Sequence, residues 1–103
     1  MALTRRKDNN FFSKISVSST NFANHVVSWN FNSTGIALMV QSNVTTDAIE
    51  YSFNGTDVHG DMVPNFPSAA IIFDNRHHNR IYFRRASNGD PVLVRVEAWR
   101  SEA

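Results

Sequence analysis

The chain has 103 residues, 42% of them hydrophobic and 18% charged, enough for one domain with a single core and too few for two. Ten basic residues against nine acidic leave a formal net charge of +1, so no whole-molecule field draws the chain to nucleic acid or to an anionic membrane. With no cysteine, disulfides, thiolate nucleophiles and Cys-ligated metal sites are excluded.

Residues 1–12 read as a basic N-terminal arm carrying Arg5, Arg6 and Lys7, and residues 13–103 as one β-sandwich domain. The opening lacks the apolar segment of a secretion signal, and no run approaches a membrane span. The expectation is therefore a product made in a cytosol, with no membrane partner. The arm has little capacity to bury itself and is expected to contact a neighbouring subunit, with Phe11 and Phe12 anchoring it to the body. The Asn-x-Ser/Thr triplets at Asn32, Asn43 and Asn54 read as turn and edge residues rather than glycan sites.

Ser13 to Ser18 alternates polar and apolar residues and predicts a first strand. Ser19-Thr20-Asn21 can cap a short turn, and Phe22-Ala23 suits one helical turn or a wide loop. From His25 to Phe31 the period of two returns, with Val27, Trp29 and Phe31 on one face, and Asn32-Ser33-Thr34-Gly35 has the composition of a hairpin turn. Gly35 to Gln41 is nearly continuous apolar and predicts a strand covered on both faces.

Ile49, Tyr51 and Phe53 alternate with Glu50 and Ser52, and Asn54-Gly55 is a strong turn signal. Thr56 to Ser68 predicts an ordered loop crossing between sheets, and Asp57, His59, Asp61 and Phe66 are its candidate contact residues. Three more strands follow over Ser68–Phe73, Arg80–Arg84 and Pro91–Trp99, the last two joined by a predicted hairpin loop from Arg85 to Asp90. Ile81 and Phe83 fall on one face of theirs; Arg80, Tyr82 and Arg84 share the other. In the last, Val92, Val94, Val96 and Ala98 oppose Leu93, Arg95, Glu97 and Trp99, so Trp99 must cover the end of a core or pack on a neighbouring chain. The prediction is an all-β fold, an antiparallel β-sandwich (jelly-roll-like or a flattened barrel) of about seven to eight short strands.

Chemistry is sparse in this pattern. His77 and His78 would point to opposite faces of a strand, and His59 with Asp57 and Asp61 supplies too few local ligands, so turn hydrogen bonding is the expected role and no metal or cofactor is predicted. Serine lacks a glycine-flanked nucleophile elbow, and the glycines at 35, 55, 60 and 89 are isolated, which leaves no phosphate loop and no predicted enzyme activity. Tyr82 among Arg76, Arg80, Arg84, Arg85 and Arg95 could stack on single-stranded nucleic acid, but near-neutral net charge favours pairing with Glu50, Glu97, Asp74 or Asp90 on neighbouring strands or subunits.

The runs Ile49-Glu50-Tyr51-Ser52-Phe53-Asn54-Gly55, Val58-His59-Gly60-Asp61, Phe73-Asp74-Asn75-Arg76, Arg80 to Arg85 and Val94 to Trp99 resemble small β-sandwich structural proteins of tailed-bacteriophage virions. The resemblance spans residues 46–99. It implies a non-enzymatic virion component, a capsid decoration protein or a small neck or tail protein, built as a symmetric homo-oligomer on a larger viral shell or tail protein. Under it Arg5, Arg6, Phe11, Phe12, Tyr82, Arg84 and Trp99 become subunit or partner contacts. The rival expectations are a receptor- or carbohydrate-binding module and a small single-stranded nucleic-acid-binding barrel.

Overall fold

A computed structural model describes residues 10–40, 48–62, 70–74, 77–87 and 91–100. The strands are β1 (Asn10–Val17), β2 (Val26–Ser28), β3 (Gly35–Val40), β4 (Ile49–Ser52), β5 (Gly60–Met62), β6 (Ala70–Asp74), β7 (Arg80–Arg85) and β8 (Val92–Trp99). They form two four-stranded sheets, sheet A in the order β1-β8-β3-β6 and sheet B in the order β2-β7-β4-β5. The pairings β1 with β8, β2 with β7, β3 with β6 and β4 with β5 are all antiparallel. That is one long hairpin folded over on itself, the jelly-roll form of the sandwich.

The alternating residues of the strands meet between the sheets. Val92, Val94, Val96 and Ala98 of β8 and Ile36, Leu38 and Val40 of β3 face Ile49 and Tyr51 of β4 and Ile81 and Phe83 of β7, all buried. β-branched side chains dominate because they hold the backbone extended and tile a pleated face. At one end Phe11 packs on the buried Trp29 with ring centroids 5.4 Å apart. The Trp29 indole N–H is satisfied by the His78 carbonyl at 3.0 Å.

Several expectations change. Every connection except β4 to β5 crosses between the sheets, so Asn32–Gly35 is not a hairpin: it carries the chain from β2 in sheet B to β3 in sheet A. The segment after Arg85 likewise leaves sheet B for β8 in sheet A rather than closing a hairpin, because β8 takes β1 and β3 as neighbours. Turn composition specifies that the chain reverses; which strand it then pairs with depends on contacts far away in sequence. The expected loop of 56–68 contains β5, three residues pairing with β4, too short to show a period. β1 starts at Asn10, so Phe11 and Phe12 are strand residues opposite Ala98 and Glu97. β3 is fully covered on its inner side only; Ala37 and Met39 on the other side are half-buried. Phe22–Asn24 is one 3-10 turn, capped by Asn21, whose side-chain oxygen accepts from the Ala23 N–H at 3.0 Å.

Candidate assembly surface

The two outer faces of the sandwich differ in chemistry. On sheet A the strand registers place outward residues in rows across the sheet. One row runs Asn10, Trp99, Gly35, Asp74; the next Phe12, Glu97, Ala37, Ile72; then Lys14, Arg95 and Met39; then Ser16 and Leu93. Phe12 is 50% and Ile72 62% exposed, and Leu93, Met39, Ala37 and Trp99 are half-buried. A solvated outer sheet face is normally polar at such positions.

Among the described residues, charge on this face is poorly compensated. Lys14 stands directly opposite Arg95, a like-charge pairing that costs a sheet stability. The Arg95 guanidinium lies 5.0 Å over the Phe12 ring, and its buried Nε–H has no hydrogen-bond partner among the described residues. Glu97, next on the same face, forms no ion pair among the described residues. An open groove of about 370 Å³ at the Asn10–Trp99 end of the β1–β8 pair is lined by Asn10, Phe11, Phe12, Glu97, Ala98 and Trp99.

The outer face of sheet B pairs part of its charge internally. Arg84 donates from Nε to the Glu50 carboxylate at 2.7 Å and lies 4.4 Å over the Phe22 ring. Asp61 is in register with Glu50, adding negative charge to the same row. Arg80 donates to the Tyr82 hydroxyl at 3.5 Å, and the Tyr82 ring covers Gly55, whose φ of 80° favours glycine and where a Cβ would press on that ring at 3.0 Å. Arg84 and Tyr82 are thus half-buried with partners of their own, and the pairing of Arg84 with Glu50 is among those expected from the sequence.

The loop candidates hold the β4–β5 turn. Asn54 accepts from the Ser52 hydroxyl and from the Thr56 and Asp57 N–H groups, and donates to the Asp57 carboxylate at 2.9 Å. His59 Nδ1 accepts from the Phe53 N–H at 3.0 Å. The Phe53 ring stacks on His78 at 4.1 Å and 8°, and meets Tyr51 and Phe73 edge-on, an aromatic cluster that closes this end of the core. Asp61 lies on the outer face of β5, away from Asp57 and His59 in the turn. No three His, Asp or Glu side chains converge as metal ligands among the described residues. Arg5, Arg6 and Phe66 lie outside the described residues.

Two features escaped the sequence reading. His25 is 5% exposed and bridges the two sheets: Nε2 accepts from the Ser18 N–H at 3.3 Å, so Nδ1 carries the proton and donates to the Phe83 carbonyl at 3.1 Å. No local signal marks it, since its partners lie 7 and 58 residues away in sequence. Arg85, expected on a basic outer patch, is 2% exposed and in register with the core residue Ile49. The strand period would have shown this, because Arg85 follows Ile81 and Phe83 at the two-residue spacing.

The fold and this surface define an eight-stranded jelly-roll sandwich with one outer face held in part by the Arg84–Glu50 pair and one that exposes Phe12 and Ile72 beside charges without ion pairs among the described residues. No protein-family model and no curated protein matches the chain.

Proposed function

We propose that the chain is a non-enzymatic structural component of a virion, a decoration or stabilising protein that forms a symmetric homo-oligomer and binds a larger capsid or tail protein. The observation that carries this reading is the apolar exposure on sheet A: its outer face presents Phe12 and Ile72, with half-buried Met39, Leu93 and Trp99 beside them, where the outer face of sheet B exposes Val26 and holds the Arg84–Glu50 ion pair. An exposed apolar face of this extent is stabilised by covering it. The fold supports the same reading by analogy. Jelly rolls recur in viral capsid proteins, and the residues that resemble phage sandwich proteins fall on β4 to β8, the framework of both sheets.

The test is solution mass by light scattering across concentration and salt, for the native chain and for Ile72→Lys. The expected result is an oligomer whose mass falls with the substitution. A native chain that is monomeric at every concentration, and whose peptides are absent from purified particles of the encoding phage, would overturn the reading.

One observation favours a second reading, a receptor- or carbohydrate-binding module. The β1–β8 groove sets exposed Phe12 and half-exposed Trp99 beside Asn10 and Glu97. Aromatic rings stack on the C–H faces of sugars, while amide and carboxylate groups take pairs of hydroxyls. Saturable calorimetric heat with a neutral oligosaccharide, lost in Trp99→Ala, would select this reading over assembly.

A further inference from the structure

We infer that the outer face of sheet A is occupied by the same face of a second copy, stacked about a two-fold axis that runs across the strands between the Glu97 row and the Arg95 row. The inference rests on the assembly reading above and names its partner. An axis in that position leaves each strand over its own counterpart and inverts the order of the rows. Glu97 of one copy then stands over Arg95 of the other, Phe12 over Lys14, Ala37 over Met39, and Trp99 over Leu93.

Each of these pairings answers a need visible in the single chain. Arg95 has a like charge beside it at Lys14, and neither Arg95 nor Glu97 has an ion pair among the described residues. Bringing Glu97 over Arg95 sets a carboxylate against the guanidinium and offsets the Lys14–Arg95 repulsion, twice per dimer. Phe12 already carries one guanidinium on its ring, and the Lys14 of the second copy would add its aliphatic stem and cation to the same ring. The small Ala37 faces the long Met39, so the two surfaces interdigitate rather than collide. The alternative axis, along the strands, would set Arg95 over Met39 and Glu97 over Ala37 and leave the charges buried without partners.

The charge pattern is therefore self-complementary in one orientation, which is the property of an isologous interface. Its size sets its strength. Four strands at about 4.8 Å spacing and up to eight residues of about 3.3 Å cover on the order of 500 Å² per copy, toward the low end of specific interfaces. The dimer is accordingly expected to dissociate on dilution unless other contacts of the assembly reinforce it.

Sedimentation equilibrium from micromolar to sub-millimolar concentration tests this with the native chain, Glu97→Arg, Arg95→Glu and an equimolar mixture of the two variants. Circular dichroism establishes beforehand that each variant keeps the fold; both side chains lie on the outer face, so neither substitution enters the core. Each variant alone sets like charges against each other across the axis and should dimerise at least about tenfold more weakly than the native chain. In the mixture, a Glu97→Arg copy presents arginine at both positions and an Arg95→Glu copy presents glutamate at both. Every contact across the axis of that mixed dimer again joins opposite charges, so the mixture should recover the native association. Native oligomers that persist unchanged in both variants would overturn the face-to-face register while leaving the assembly reading intact. A native chain that stays monomeric would overturn the second copy as occupant. If that monomer bound a shell protein and Glu97→Arg abolished the binding, the face would belong to the shell contact instead.

Discussion

The indole of Trp99 rests on Gly35, its cross-strand neighbour in β3, so closely that a Cβ at position 35 would overlap three of its ring atoms. Thr34 also donates its N–H to the Trp99 carbonyl at 2.8 Å, tying the start of β3 to the end of β8. Glycine is required here by the approach of a side chain, not by backbone angle. The last strand is held at its final residue.

Gly35→Ala is expected to lift the indole off β3 and cost about 1–3 kcal/mol, the range for forcing an extra methyl into a packed site. Trp99→Ala should cost about 2 kcal/mol, less than the loss of a fully buried tryptophan because the ring is half-exposed. In a Trp29→Phe background, where Trp99 is the sole tryptophan, Gly35→Ala should red-shift its emission. An unshifted emission and an unchanged urea midpoint would show that the contact does not constrain the ring.

His25→Leu and His25→Ala separate packing from hydrogen bonding. Leucine fills much of the space but leaves the Ser18 N–H and the Phe83 carbonyl without their side-chain partner. Both variants should lose about 2–4 kcal/mol in urea unfolding, because an unpaired buried polar group bears its full desolvation cost. Near-native stability of His25→Leu would assign the site to packing alone.

For the Arg84–Glu50 pair, partly exposed at both ends, a double-mutant cycle should return a coupling of about 0.5–1 kcal/mol that shrinks with added salt. Arg84→Ala should cost more than Glu50→Ala, since it also strips the guanidinium from the Phe22 ring. Neither substitution should change the solution mass, because the pair lies on sheet B. A fall in mass with Glu50→Ala would place the subunit contact on the wrong face for the proposed dimer.

Alternation of side chains by itself determined β4, β7 and β8 and their inner faces. Val92, Val94, Val96, Ala98, Ile81, Phe83, Ile49 and Tyr51 all point where a period of two puts them, because successive residues of an extended chain face opposite ways whatever surrounds them. The same rule separates Leu93, Arg95, Glu97 and Trp99 onto one outer face. It cannot say what lies beside that face. Only the tertiary structure decided that β8 sits between β1 and β3, which sets Lys14 against Arg95, Phe12 against Glu97 and Trp99 over Gly35. It likewise decided that the turns after β2 and β7 cross between sheets, and that His25 joins Ser18 to Phe83. Pairing partners are chosen by burial summed over the whole core, a quantity that no local stretch contains.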